Sequence, residues 1–316
     1  MPYPSLNDYQ SLLQCPDYAF QEEELQKAKV ETRQDNIPIL RSGQFVATAC
    51  LITDNKELAI RCFYRRITNH DELEKRYSYI IEFLRNKNST LFVEFSYQPQ
   101  GIQTFEEKWF PIIKMDWVEG KPLDKHIEAN LENTKILENL VNEIRRVSQE
   151  LEQLGMAHGD LQNDNILIKE DHALVLIDYD GMYVPGMPYN YSNEIGHTNF
   201  QHPKRDQNCF DETIDRFSLI VIYVSLQCLI KYGKTLWEQY HEGDCLLFKE
   251  QDYQNPKQST IINDLLDNYP SSSPLIERFK EVCLTEKLKD IPTLQQFESL
   301  VENATTSYNQ RVVAEQ

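Results

Sequence analysis

HGDLQNDN at residues 158–165 and DYDG at residues 178–181 flank ILIKEDHALVLI, a run that turns back on itself like a small β-hairpin. Asp160 and Asn165 are five apart in one loop, and Asp178 follows thirteen residues after Asn165, at the end of the second strand. One amide oxygen and one carboxylate suit a hard divalent cation such as Mg²⁺. A further carboxylate can orient an acceptor hydroxyl and take its proton. Asp and Asn also favour turns for reasons unconnected with chemistry, but their ordered spacing around a hairpin weighs against that plainer reading. His158 reads as a structural group that hydrogen-bonds the loop from the core. His197 and His202 have no metal-ligand company and read as exposed or hydrogen-bonded side chains.

Upstream of this loop, Ile136, Leu140, Ile144, Val147, Leu151 and Leu154 form one stripe of a long helix over 134–154 that stops at Gly155. Still earlier the pattern is β. IPIL at 37–40, a turn at 41–44, FVATACLIT at 45–53 and ELAIRCFY at 57–64 predict three antiparallel strands. A helix over 70–84 follows, and then two further strands in TLFVEFSY and KWFPIIKMDWV. Residues 1–36 read as an extension packed on a lobe, with one short surface helix in QEEELQKAK. Downstream, most of the chain beyond Asp215 reads as helical. The order predicts an α+β protein with an N-terminal extension (1–36), a β-rich lobe (37–119) and a helix-rich lobe (120–316).

The 316 residues suffice for a sizeable core. A net charge of −18 repels phosphate backbones and anionic headgroups, which sets nucleic acid and membrane surfaces aside as partners. The seven cysteines form no CxxC pair and no zinc-spaced cluster, so they read as reduced thiols of a cytoplasmic protein. The first ten residues lack the basic and apolar regions of a signal peptide. The apolar run over 217–230 is too short to cross a bilayer and reads as a buried core helix.

In order and chemistry these residues resemble the protein-kinase signature, with HGDLQNDN where an HRDLxxxxN-type loop stands and DYD where DFG stands. LAIR at 58–61 resembles the VAIK strand, and SGQFV at 42–46 a reduced glycine-rich loop. DRFS at 215–218 resembles the start of the buried helix whose Asp ties down the catalytic loop, and GHTNFQHP at 196–203 the end of an activation segment. The wider match is to bacterial kinase-like proteins with HGDLQ and DYDGM motifs, and the HGD form also resembles aminoglycoside and choline kinases. The resemblance implies a bilobal protein-kinase-like fold that uses ATP and Mg²⁺. It makes Asp160 the catalytic base and Asn165 and Asp178 the metal ligands. It places Arg61, Gly43 and Phe45 at the phosphates, and Ala59, Met115, Val118 and Leu167 around adenine, with 115–118 as hinge. Arg61 would take its acidic partner from the helix, Glu74 or Glu72.

Departures from the pattern keep three readings open. Arg61 stands where lysine is usual, the glycine-rich loop retains one glycine with Val46 at its third position, and Gln162 replaces a lysine. Asp180 takes the place of a glycine, either beside the metal or as a turn residue. Gly159 stands where an arginine commonly receives an activation-segment phosphate, and FQHP lacks the segment's glutamate. The chain is then a Ser/Thr kinase of a protein, a pseudokinase that binds nucleotide or a regulatory protein partner, or a kinase of a small molecule. The segment 181–214 is expected to be held without phosphorylation, through Tyr183, Tyr189, Tyr191 and Phe200 with Pro185, Pro188 and Pro203.

Overall fold

Ser5 starts the first helix, α1 (Leu6–Leu12), by accepting the Asp8 amide while the Asp8 carboxylate takes back the Ser5 N–H, a reciprocal cap. In the computed structural model, which describes residues 2–43, 45–65, 70–85 and 87–314, two more short helices follow, α2 (Pro16–Ala19) and α3 (Glu23–Gln26). They belong to the first of two units, Met1–Glu119 and Gly120–Gln316. The strands are β1 (Lys29–Val30), β2 (Arg41–Ser42), β3 (Val46–Ile52) and β4 (Glu57–Phe63), with β5 (Phe95–Gln103) and β6 (Trp109–Asp116) after helix α4 (His70–Arg85). They form an antiparallel sheet in the order β1-β3-β4-β6-β5, with β2 also on β3.

The extension is core, not dressing. Tyr9, Leu12, Leu13, Phe20 and Leu25 are buried against Leu51, Leu58, Ile60, Cys62 and Ile112 of the sheet, and the Tyr9 hydroxyl donates to the Phe63 carbonyl at 2.7 Å. Because side chains alternate along a strand, Ala59 and Arg61 lie on the opposite face from Leu58, Ile60 and Cys62. That face meets α4, whose buried Tyr77 stacks on Tyr97 and meets the edge of Phe95.

Two local expectations are corrected. IPIL at 37–40 is not a strand: Pro38 removes a ladder donor, and the segment keeps one bridge, Thr32 to Pro38. Pairing starts instead at Arg41 and Ser42, opposite Thr48 and Ala47, inside the stretch assigned to a turn; Gln44 of that turn lies outside the described residues. TLFVE at 90–94 precedes the strand, with a bridge at Phe92 and the Glu94 carbonyl on the Asp116 amide at 3.4 Å, and β5 runs on to Gln103.

The second unit opens with β7 (Lys121–Pro122) and α5 (Leu123–Glu128), followed by α6 (Thr134–Leu154), which ends at Gly155 as expected. Strands β8 (Ile166–Ile168) and β9 (Leu174–Leu176) pair antiparallel, with β7 on the outer side of β8. Then come α7 (Arg216–Tyr240), α8 (Glu250–Gln254), α9 (Thr260–Asp267), α10 (Ser273–Cys283) and α11 (Leu294–Ala314). Helix α7 has a mean hydropathy of 1.3 over its most apolar window and is long enough to cross a bilayer, yet 61% of that window is buried within the protein, and Gly233 breaks its helical geometry. It is the core helix that packs on α6, whose Leu137, Leu140, Ile144 and Leu151 are buried. A bidentate pair joins the two: Arg216 Nε and Nη2 reach the Glu152 carboxylate at 2.7 and 2.9 Å. A sheet unit followed by a helical unit is the α+β architecture expected of a kinase-like chain.

Candidate active site

Asp215, at the N-terminus of α7, anchors the 158–165 loop. Its carboxylate is 2% exposed and accepts the amides of His158 and Gly159, the latter at 2.9 Å. Burial raises its pKa, opposed by these two amides and by the charges of His158 and Arg205. His158 is fully buried; Nε2 meets the Ile177 carbonyl at 2.9 Å and Nδ1 accepts the Asp160 amide at 3.3 Å. Those partners place the ring hydrogen on Nε2 and make the histidine structural.

The Asp160 carboxylate takes three neutral donors. Oδ1 accepts the His197 amide at 2.8 Å, and Oδ2 accepts Asn165 Nδ2 at 2.8 Å and Gln162 Nε2 at 3.1 Å. Asn165 Nδ2 also reaches the Asp160 carbonyl at 2.9 Å. Asn165 therefore has its amide nitrogen committed to Asp160, which leaves Oδ1 as the atom available to a cation. Gln162, where a lysine is usual, orients Asp160 without adding charge. Asp164, next in the loop, has its carboxyl pKa raised by burial and by the negative charges of Asp124, Asp244 and Asp160.

The Asn165 carbonyl accepts the Ile177 amide at 3.0 Å, so Asp178 follows one residue beyond this contact. Asp178 has φ of +69°, a left-handed conformation uncommon outside glycine that costs about 1–2 kcal/mol. Asp180 is 8% exposed and is a turn residue before Gly181, the turn closed by the Met182 amide on the Tyr179 carbonyl at 3.2 Å. Gly159 (φ +86°) backs onto Gly181 so closely that a Cβ there would lie 2.1 Å from the Gly181 carbonyl oxygen. The arginine common at this position has no space here.

The segment after Gly181 is ordered by unmodified groups. Tyr183 bridges Ala157 through a pair of backbone bonds at 2.9 and 3.0 Å, and its ring meets Phe210 edge-on. Ser192 is 1% exposed with its hydroxyl on the Glu194 carbonyl, and Phe200 is fully buried. Ser218 Oγ of α7 donates to the Phe200 carbonyl at 2.7 Å. His197 lies 3.5 Å from the Asp244 carboxylate, and His202 is buried edge-on against Phe217. The His197 amide, Gln201 and Arg205 all bear on the 158–165 loop, and sequence reasoning missed all three. A backbone amide has no sequence signal, and a lone arginine in HPKRD looks like surface.

Within the first unit, Arg61 is 5% exposed, so it is not a strand arginine facing solvent. Glu74 lies on the exposed face of α4, whereas Glu72 is partly buried and pairs with buried Arg76 at 3.0 Å. Ala59 and Met115 are buried and directly opposite in the β4–β6 register. The chain leaves the sheet at Asp116, and Val118 follows in irregular, half-buried backbone; in the second unit, Leu167 of β8 is half-buried between buried neighbours. The 42–46 turn is tight. The Gly43 amide donates to the Val46 carbonyl at 2.9 Å, and the Gly43 carbonyl accepts the Tyr64 hydroxyl. Gly43 therefore offers no free N–H to a phosphate, and Phe45, half-buried, has its carbonyl on the Tyr64 amide at 3.0 Å.

The donor types fit Mg²⁺: Asn165 Oδ1 and the Asp178 carboxylate are hard oxygen donors of the kind that would hold it. Among the described residues no cluster of three or more His, Cys, Asp or Glu is poised for a metal, so further ligands would be phosphate oxygens and water. Residues 110–209 match the ABC1 atypical kinase-like domain. The serine/threonine-protein kinase RIO2 of Caenorhabditis elegans is 22% identical over 182 residues, which is 52% of this chain and 34% of the worm protein. The chain thus aligns with about a third of that relative's length. The family match takes in the loop that Asp215 anchors, and with the sheet-then-helices order the two matches support a kinase-like chain.

Proposed function

We propose that the chain is an ATP- and Mg²⁺-dependent phosphotransferase acting on Ser or Thr of a protein. The observation that carries this reading is Asp160, a carboxylate fixed by three neutral donors beside an asparagine whose oxygen remains for a cation. Asp160 orients the acceptor hydroxyl and takes its proton. Asn165 and Asp178 hold the cation, which neutralises phosphate charge when bound. Arg61 meets phosphate with a planar guanidinium rather than an ammonium. Gly43 and Phe45 shield the phosphates rather than binding them through the Gly43 amide, and Ala59, Met115 and Val118 meet adenine. The described relative is named as a serine/threonine-protein kinase, which supports a protein acceptor. Seven free cysteines, with burial pushing the Cys62 and Cys228 thiols up to about 12, support a cytoplasmic protein.

The Gly43 amide, bonded internally, favours a second reading: a pseudokinase that binds nucleotide or a regulatory partner without transfer. Incubation with γ-labelled ATP and Mg²⁺, with and without protein acceptors, separates the readings. Label on Ser or Thr of the chain or of a protein acceptor is the expected result. Nucleotide binding without transfer establishes the pseudokinase, and label on a small molecule establishes a metabolite kinase.

A further inference from the structure

The carboxylates of the 158–165 loop are held by neutral donors only. Asp215 takes the His158 and Gly159 amides, and Asp160 takes the His197 amide and two side-chain amides. Gly159, between them, has no space for a charged side chain. One cation lies deep in the same unit. Arg205 is 6% exposed; burial lowers its pKa from the ordinary guanidinium value, and the charge of Asp215 and then of Asp160 act against that shift, followed by Cys209 and Asp211. The other titratable neighbours of the two carboxylates are His158 at Asp215 and Asp164 at Asp160.

Arg205 is coupled to the loop through one residue. Its Nη1 donates to Gln201 Oε1. Gln201 Nε2 reaches the far side of Gly196 (φ +83°), where an added Cβ would lie 2.7 Å from that nitrogen, 2.8 Å from the Gly159 carbonyl oxygen and 2.9 Å from Asp160 Oδ1. The amide end of the guanidinium–amide pair thus stands behind the loop, where Gln201 Nε2, the Gly159 carbonyl oxygen and Asp160 Oδ1 surround one Cβ-sized point. Arg205 Nε and Nη2 and Gln201 Nε2 are buried without an acceptor among the described residues. Three such donors destabilise a core that an apolar pair would fill more favourably. Their benefit is electrostatic, since a charge in the same buried region as the Asp215 carboxylate acts at lower effective dielectric than in water.

We propose that Arg205, coupled through Gln201, is the positioning residue of the 158–165 loop: its charge stabilises the Asp215 carboxylate that anchors the His158 and Gly159 amides, and so holds Asp160 in place. It supplies from the 196–205 segment the cation that Gly159 cannot carry. The consequence for catalysis rests on the phosphotransfer reading, whereas the holding of the loop does not.

Amide hydrogen exchange tests the holding directly. Arg205→Met should exchange at His158, Gly159 and His197 at least about tenfold faster than wild type with α6 unchanged, and Arg205→Lys should stay within about threefold. Unchanged exchange in Arg205→Met overturns the proposal, and so does a lysine variant as fast as the methionine one, which would show shape rather than charge. Where wild type transfers phosphate, Arg205→Met should lower kcat roughly thirtyfold with KM for ATP within about twofold, and lysine should restore most of it. A rise in KM with kcat intact would assign Arg205 to nucleotide binding instead and overturn the proposal. A wild type without transfer refutes the phosphotransferase reading while exchange still decides the holding. If Arg205→Met does not fold, Gln201→Met keeps the charge and cuts the coupling; accelerated exchange at His197 supports the proposal and unaltered exchange overturns it.

Discussion

The 158–165 loop and the 42–46 turn hold their polar groups in opposite ways. In the loop, nearly every donor is used to aim a group at chemistry: Asp215 fixes two amides, and three donors fix Asp160. In the turn, the Gly43 amide and carbonyl are both satisfied internally, by Val46 and Tyr64, which makes the turn stable and leaves it little to offer a phosphate. On the proposed function, hydrogen bonding that fixes Asp160 in one unit serves the acceptor, while hydrogen bonding that closes Gly43 in the other leaves little for nucleotide. That reading predicts that the departures at Arg61 and in the glycine-rich loop lower nucleotide affinity more than they lower the rate of transfer.

The sharpest way to break this contrast is Asp160→Asn. The amide cannot take the acceptor proton, so kcat should fall about 10³-fold, while ATP affinity stays within about twofold because the residue meets the acceptor. Single-turnover transfer and nucleotide titration must separate; transfer at the wild-type rate would remove Asp160 from the proton-transfer role. Asp178→Asn should act on the other term. At ATP about 100-fold above Kd, ligand binding stabilises a protein by about 2.7 kcal/mol, and the variant should lose nearly all of the Mg²⁺-dependent part. Asparagine tolerates the left-handed backbone at Asp178 better than most residues, so the variant should fold, and calorimetry with ATP and Mg²⁺ reads the loss cleanly. An unaltered shift would remove Asp178 from the metal site.

Gly43→Ala sharpens the comparison from the opposite side. An added Cβ meets nothing closer than the Val46 carbonyl oxygen at 3.8 Å, and the Gly43 amide is already bonded. ATP affinity should change less than about twofold, whereas a glycine whose bare backbone cradled phosphate would lose far more. A tenfold loss would show that the turn opens to bind.

These contrasts explain what could be read in advance. Helix α6 was legible to the residue, because a six-position stripe and a terminal glycine are local signals. The placing of Asp160 and Asn165 in one loop with Asp178 just past a hairpin was legible because the hairpin between them is a local signal. Helices α1 and α2 were not: at seven and four residues they have too few turns for a periodic stripe, and their stability comes from Tyr9, Leu12 and Phe20 on a sheet more than 30 residues away. The His197 amide and the Arg205–Gln201 pair were hidden for a related reason, since each acts on a loop about 40 residues distant in sequence through geometry that composition does not carry.

The smallest expected effect concerns how the 196–205 segment is held. His202 is 2% exposed against Phe217, and burial lowers its pKa, with Lys204 adding to the shift and the Val282 and Cys283 carbonyls and Glu286 opposing it. A histidine with a folded pKa below its unfolded value of about 6.5 takes up its proton more readily in the unfolded chain. Its contribution to stability is complete above that value and is lost as pH falls through it toward the lower folded pKa. His126, also lowered by burial, acts in the same direction. Melting temperature should therefore drop between pH 7.5 and 5.5, and His202→Phe, which keeps the ring packing and removes the titrating nitrogens, should shrink that drop by about one to two degrees. The residual slope belongs to His126 and to the carboxylates. A variant whose melting temperature tracks pH as steeply as wild type would show that His202 is already hydrated or charged in the folded state, and that the segment is held by something other than the apolar packing of Phe200, His202 and Phe217.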